Sequence, residues 1–276
     1  MNTTSSGRSH APVERHERGR GIPDADTVTS LAHWTRAIRN HRKLTRRRAS
    51  ETTGISSDYL KNIETGWLPS PAIVEKLITG YEMSCQQSRM TWDLWRPPIA
   101  LPPAERLRAR ISTPDRLELL ARLEQAHVAI AYIDPVWTVL AANDTFYRSV
   151  PMIAGGNVAA WAMPPNPEPS PMEPLLLYPD FEARTLVGML RGGAAAYRAS
   201  PQVRCLFEQL SRNDSFARHW RTDLHVDYGR RALQPLFLRN PATGEPYALD
   251  VQITEVGDIP EVRAIVAWPA PGLETP

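Results

Sequence analysis

Residues 44–66, LTRRRASETTGISSDYLKNIETG, carry the side chains of this chain best suited to chemistry with a nucleic acid. Arg42, Lys43, Arg46, Arg47 and Arg48 offer cations that can neutralise backbone phosphates, an attraction independent of base sequence. Ser57, Asp58, Lys61 and Asn62 carry groups that can read base edges. Asn62 can pair with adenine, Lys61 with guanine O6 or N7, and Asp58 can accept from cytosine N4. Tyr59 stands at the edge of this set as a packing residue or phosphate ligand, and Ser56 opens it as a helix cap. Glu64 is better suited to brace the fold through an ion pair than to approach phosphates that repel it.

To act together these residues need a short first helix, a turn that admits glycine, a capped second helix and apolar side chains wedged between the two. Gly54 fits the turn, Ile55 plugs the space between helices, and Leu60 and Ile63 face inward three apart. Around them the apolar spacing predicts helices at 30–41, 45–53, 56–65, 71–81 and 84–95, an all-α domain over residues 30–95. Residues 1–29 lack apolar periodicity and read as a disordered arm. Net charge over the whole chain is only +2, which argues mildly against a nucleic-acid partner. Its distribution reverses that: residues 30–66 hold eight basic side chains against three acidic, a local +5 that leaves −3 elsewhere.

The proline-rich RPPIALPP begins a linker at residues 96–111. Beyond it, an amphipathic helix at 114–127 precedes two strands, HVAIAYI and VWTVLA, and a short helix at 143–149. Residues 151–179 contain eight prolines and read as an irregular loop, a tolerated surface insertion rather than a lid. Helical spacing returns at 178–197, 201–211 and 215–222, and three strands follow at 232–239, 247–255 and 262–268. The second domain, 112–270, is thus α+β with a five-stranded antiparallel sheet and helices, followed by a tail at 271–276.

The pattern T-x(8)-G-I-S-x-x-Y-L-x-x-I-E-x-G resembles the lambda-repressor-like Xre family of helix-turn-helix regulators over about 65 residues. Arg46, Ala49, Ser50 and Thr53 depart from the residues usual in that family. Farther on, AYIDPVWTVLAANDTFYRSV, SPQVRCLFEQLSRNDSFARHW and LFLRNPATGEPYALDVQITEV occur in an order that resembles the PAS-like ligand-binding domain of MmyB-like regulators. That resemblance implies a pocket for a small, largely apolar molecule, with fatty acids as the associated class. Trp137, Val139, Met189, Leu206, Leu210, Phe216, Trp220, Leu236, Val251 and Trp268 are candidates to line or underlie it, with Leu186 and Leu190. Asn143 joins them, and Arg184, Tyr197 and His225 are the polar candidates for a carboxylate headgroup.

Other chemistries find little support. Cys85 and Cys205 lack the spacing of a zinc or redox site, His219 and His225 lie six apart, and no phosphate loop, nucleophile elbow or metal motif occurs. No metal, cofactor or catalytic residue is therefore expected. No apolar run is long enough to span a bilayer and the start of the chain lacks a secretory pattern, so no membrane partner is expected. A Lys-poor, Arg-rich composition suggests a GC-rich genome, and the expectation is a cytoplasmic, bacterial, non-enzymatic transcription regulator. It binds a double-stranded DNA operator as a homodimer and responds to a small apolar ligand. The alternative is a scaffold whose helix-turn-helix binds a protein partner; the local +5 favours DNA.

Overall fold

The computed structural model describes residues 30–150, 153, 156–231 and 234–270. The expected arm at 1–29 and tail at 271–276 lie outside the described residues.

Five helices build the N-terminal domain: α1 Leu31–His41, α2 Arg46–Thr53, α3 Ser57–Glu64, α4 Pro71–Gly80 and α5 Cys85–Trp95. Their starts follow from side-chain caps. Ser30, Thr45, Ser56 and Ser84 each accept a hydrogen bond from a first-turn amide, and Ser84 with Gln87 completes a capping box. Gly54 ends α2 in the left-handed conformation (φ 64°), the role its lack of a Cβ suits. Trp34, Ile38, Ala49, Ile55, Leu60, Ile63, Leu77 and Met90 meet in one core, so α3 is held by its apolar side and presents the other. Thr53, one of the departures from the Xre pattern, compensates locally: its hydroxyl donates to the Ala49 carbonyl at 2.7 Å and accepts from the Ile55 amide at 3.2 Å.

The linker is shorter than expected. Residues 104–111 form α6, Ala104–Ile111, because Leu107 and Ile111 have an apolar core to enter and are fully or almost fully buried in it. What remains of the proline-rich segment is pinned rather than loose. The Ile99 amide donates to the Ala196 carbonyl at 2.8 Å, and the Leu101 amide to Ser200 Oγ at 2.9 Å.

The C-terminal domain continues with α7 Pro114–Gln125, β1 Ala129–Ile133, β2 Val139–Ala142, α8 Asp144–Ser149 and α9 Val158–Ala162. After a 3-10 turn at Glu173–Leu175 come α10 Pro179–Ala195, α11 Pro201–Leu210, α12 Asp214–Thr222, β3 Leu236–Arg239, β4 Pro246–Val256 and β5 Ile259–Pro269. The strands form one antiparallel sheet in the order β2-β1-β5-β4-β3. Side chains alternate across a strand, so Leu249, Val251 and Ile253 of β4 share one face with Ile265 and Ala267 of β5. Helices and residues 156–179 cover that face.

Candidate functional sites: a basic helical face and an apolar cavity

On the N-terminal domain, α3 buries Leu60, Ile63 and Glu64 and leaves Asp58 and Lys61 exposed, with Ser57, Tyr59 and Asn62 half-buried at the margin. The expected base-reading residues therefore lie together on the outward side. Ser56 is committed to capping, its Oγ accepting from the Tyr59 amide. Arg42, Lys43 and Arg47 are exposed. Arg42 pairs with Glu82 at 3.1 Å, and Arg47 lies 3.7 Å from Glu51.

Arg46 is placed differently from a simple phosphate ligand. The Glu64 carboxylate has no exposed surface and receives Arg39 at 2.5 Å and Arg46 at 2.8 Å, with Arg36 at 3.9 Å. Burial pushes the Glu64 carboxyl up, but the hydrogen bonds from Arg39 and Arg46 outweigh it and hold the group below its usual range. Glu64 thus has the bracing role its charge suggested. One carboxylate among three guanidinium groups leaves the cluster cationic, and Arg46 keeps a side chain that is 40% exposed.

A cavity of about 170 Å³ lies between the sheet and the helices of the C-terminal domain. Of the expected pocket residues, Trp137, Met189, Leu236 and Val251 line it, as does Leu186. The others do not, for identifiable reasons. Trp268 pairs opposite Asp250 while its neighbour Ala267 pairs opposite Val251, so alternation turns Trp268 to the other face. Asn143 is spent on the fold: its Oδ1 accepts from the Phe146 and Ile130 amides and its Nδ2 donates to the Val128 carbonyl. Phe216 and Trp220 stack at 5.4 Å and meet Phe207 edge-on, a core cluster with Leu206 and Leu210. Val139 and Tyr197 also belong to this core, away from the cavity wall. Arg184 and His225 line a separate polar cleft, where they pair with Asp223 and Asp227 respectively.

Several lining residues are not evident from the sequence. Val158, Trp161, Met172 and Leu175 line the cavity, so residues 156–179 of the stretch expected to be a surface insertion contribute a wall of it. Glu182 of α10 and Arg230 also line it. They form a bidentate pair at 2.7 Å per bond, each side chain only 5% exposed. Arg230 further donates from Nε to the Gln234 carbonyl at 2.6 Å and from Nη2 to the Pro235 carbonyl at 2.9 Å.

Arg230 lies near the end of a strap, residues 223–231, that connects the cavity wall to the helical domain. Val226 is buried in the N-terminal core, with Leu224 and Tyr228 packed against it. Gln87 of α5 donates to the Leu224 carbonyl at 3.1 Å, and Tyr228 donates to Asp93 at 2.9 Å beneath the Arg89 guanidinium. On its other side the strap lies tightly on α10. A Cβ at Gly188 would meet the His225 ring at 2.6 Å, and one at Gly192 the Asp227 carbonyl oxygen at 2.5 Å. Arg191, buried on α10, ties the arrangement by donating to the carbonyls of His219, Trp220 and His225.

Among the described residues no group of His, Cys, Asp and Glu could hold a metal ion, and no helix is long and apolar enough to cross a membrane. An antiparallel sheet covered on one face by helices around an apolar cavity has the architecture and the space to receive a small apolar molecule. Residues 113–275 match the MmyB-like transcription regulator ligand binding domain, and with more than half of its length matched the chain belongs to that family of transcription regulators. No curated protein matches the chain.

Proposed function

We propose that this transcription regulator binds operator DNA through α3 and that a small apolar ligand in the C-terminal cavity alters that binding. The observation carrying the first part is the outward side of α3, where Asp58 and Lys61 are exposed and Ser57 and Asn62 lie half-buried at the margin, on a domain that also exposes Arg42, Lys43 and Arg47. This supports an Xre-type helix-turn-helix in which basic residues set position on phosphates and α3 reads the major groove. The regulator acts in the cytoplasm as a homodimer on a pseudo-palindromic operator, with recognition helices about 34 Å apart to match half-sites one turn apart. Sequence resemblance points to fatty acids, and the cavity has room for an apolar portion of such a molecule. The strap supplies a route by which occupancy can favour one arrangement of the domains, since a ligand shifts only an equilibrium whose states it binds unequally.

A second reading rests on Trp67 and Leu68, directly after α3 and about two thirds exposed: such an apolar pair suits a protein partner. Selection of duplexes from a random library by the full chain discriminates between the two. DNA readout yields one enriched motif with two-fold symmetry. A library left unenriched, with no heparin retention at low salt, removes the operator reading and leaves the partner reading.

A further inference from the structure

Beside the main cavity lies a second space of about 100 Å³, and Met172, Glu182 and Leu186 line both, so these three side chains stand between the two. Ala162, Met163, Leu176 and Ala183 give the second space an apolar share of its wall. Two of its polar side chains are already engaged. Ser170 Oγ donates to the Ala162 carbonyl and accepts from the Met172 and Glu173 amides, while Asn213 caps α12 through Oδ1 and donates from Nδ2 to the Pro164 carbonyl. Glu173 is exposed and Ser215 half-buried, so both can keep water. An apolar chain entering this space would strip water from few unmatched polar groups.

The three dividing side chains are not equally free to move. Glu182 is fixed by its two bonds to Arg230, and Leu186 is 7% exposed in the interior of α10. Met172 is half-buried and unbranched, the kind of side chain that adapts to irregular space. Its backbone is pinned: the amide donates to Ser170 Oγ at 3.3 Å, and the carbonyl accepts from the Leu175 amide at 3.0 Å. The thioether side chain therefore decides whether the two spaces join.

We infer that the second space is an annex for the tail of an acyl chain, and that Met172 is the partition that sets how long a tail the main cavity takes. The inference rests on the reading of that cavity as a site for fatty acids and adds a limit on their length. A cavity of roughly 150 Å³ accommodates a six-carbon ring, so about 170 Å³ corresponds to roughly seven carbons and a further 100 Å³ to about four.

Titration of the full chain with straight-chain carboxylates from hexanoate to tetradecanoate reads this limit, with Trp137 and Trp161 on the cavity wall as fluorescent reporters. Affinity should rise about fourfold per methylene and then level off. Met172→Ala should move the levelling point to chains about four carbons longer, and those chains should bind roughly a hundredfold more tightly than to the unaltered protein. Met172→Val, a milder truncation, should move it in the same direction by less, which keeps the test open if the alanine variant does not fold. Ala183→Leu adds bulk on the annex side only. Alone it should leave the levelling point in place; combined with Met172→Ala it should restore the original one. An unchanged levelling point in the Met172 variants, or a shorter one in Ala183→Leu alone, would overturn the partition while leaving the fatty-acid reading intact. Absence of binding by the unaltered chain at every length would remove that reading, and the annex with it.

Discussion

Glu64 sits at the end of α3 with its carboxylate enclosed and Arg39, Arg46 and Arg36 around it. Its folded pKa lies below the 4.5 of an unperturbed glutamate, so the stability it contributes is complete above that value and is lost as pH falls through the folded value. Glu64→Gln should therefore lower stability at pH 7 by about 3 kcal/mol, by leaving the buried Arg39 guanidinium without its anion. It should also flatten the acid limb below pH ~4.5; urea titrations at several pH values check both. Arg46 and Arg47 differ by the same logic. Arg47→Ala should leave stability within about 0.5 kcal/mol, weaken binding to every duplex and reduce the salt slope by about 1. Arg46→Ala should have that effect and also cost about 1 kcal/mol of stability through the lost bonds to Glu64, as denaturation beside anisotropy titrations will show.

At the scale of elements, the contact between α10 and the strap depends on glycines. An alanine in place of a mid-helix glycine gains about 1 kcal/mol of helix propensity. At Gly192 the new Cβ would stand 2.5 Å from the Asp227 backbone carbonyl oxygen, which is unable to rotate away as a side-chain tip could. Overpacking costs about 1–3 kcal/mol, so Gly192→Ala should be net destabilising, with faster amide exchange over 223–231; a net gain in melting temperature would contradict the tight packing. Much of this architecture was legible from residues alone. Caps at Ser56 and Ser84 and the stop at Gly54 are local signals, and the helices they bound begin and end within a few residues of the expected places. The strap and the Glu182–Arg230 pair were not legible, since their partners are far apart in sequence and an arginine-rich chain contains many possible pairs. Helix α6 was hidden by the prolines before it, and the 151–179 segment read as an insertion because its apolar side chains have no regular period. Trp268 is an apolar candidate for the cavity on residue type alone, but the strand register turns it to the other face.

At the scale of the molecule, a basic helical domain and an apolar cavity are joined by a strap that touches both. Val226 enters the helical domain's core, Arg230 lies on the cavity wall, and Arg198 adds bonds to the Asp93 and Arg96 carbonyls across the linker. If the strap carries the coupling, a cavity occupant should change operator affinity by roughly 5- to 150-fold. Tyr228→Phe, which removes the bond to Asp93, should shrink that response while leaving occupant affinity near that of the unaltered chain, as paired DNA and ligand titrations will test. The central claim, that α3 reads base sequence, is tested most directly by anisotropy titration of the selected duplex and a scrambled duplex with the unaltered chain and Asn62→Ala. Loss of one base contact should weaken binding to the selected duplex by about 1–3 kcal/mol and leave the scrambled duplex almost unaffected, at unchanged salt slope. An equal change on both duplexes would contradict α3 as the reader.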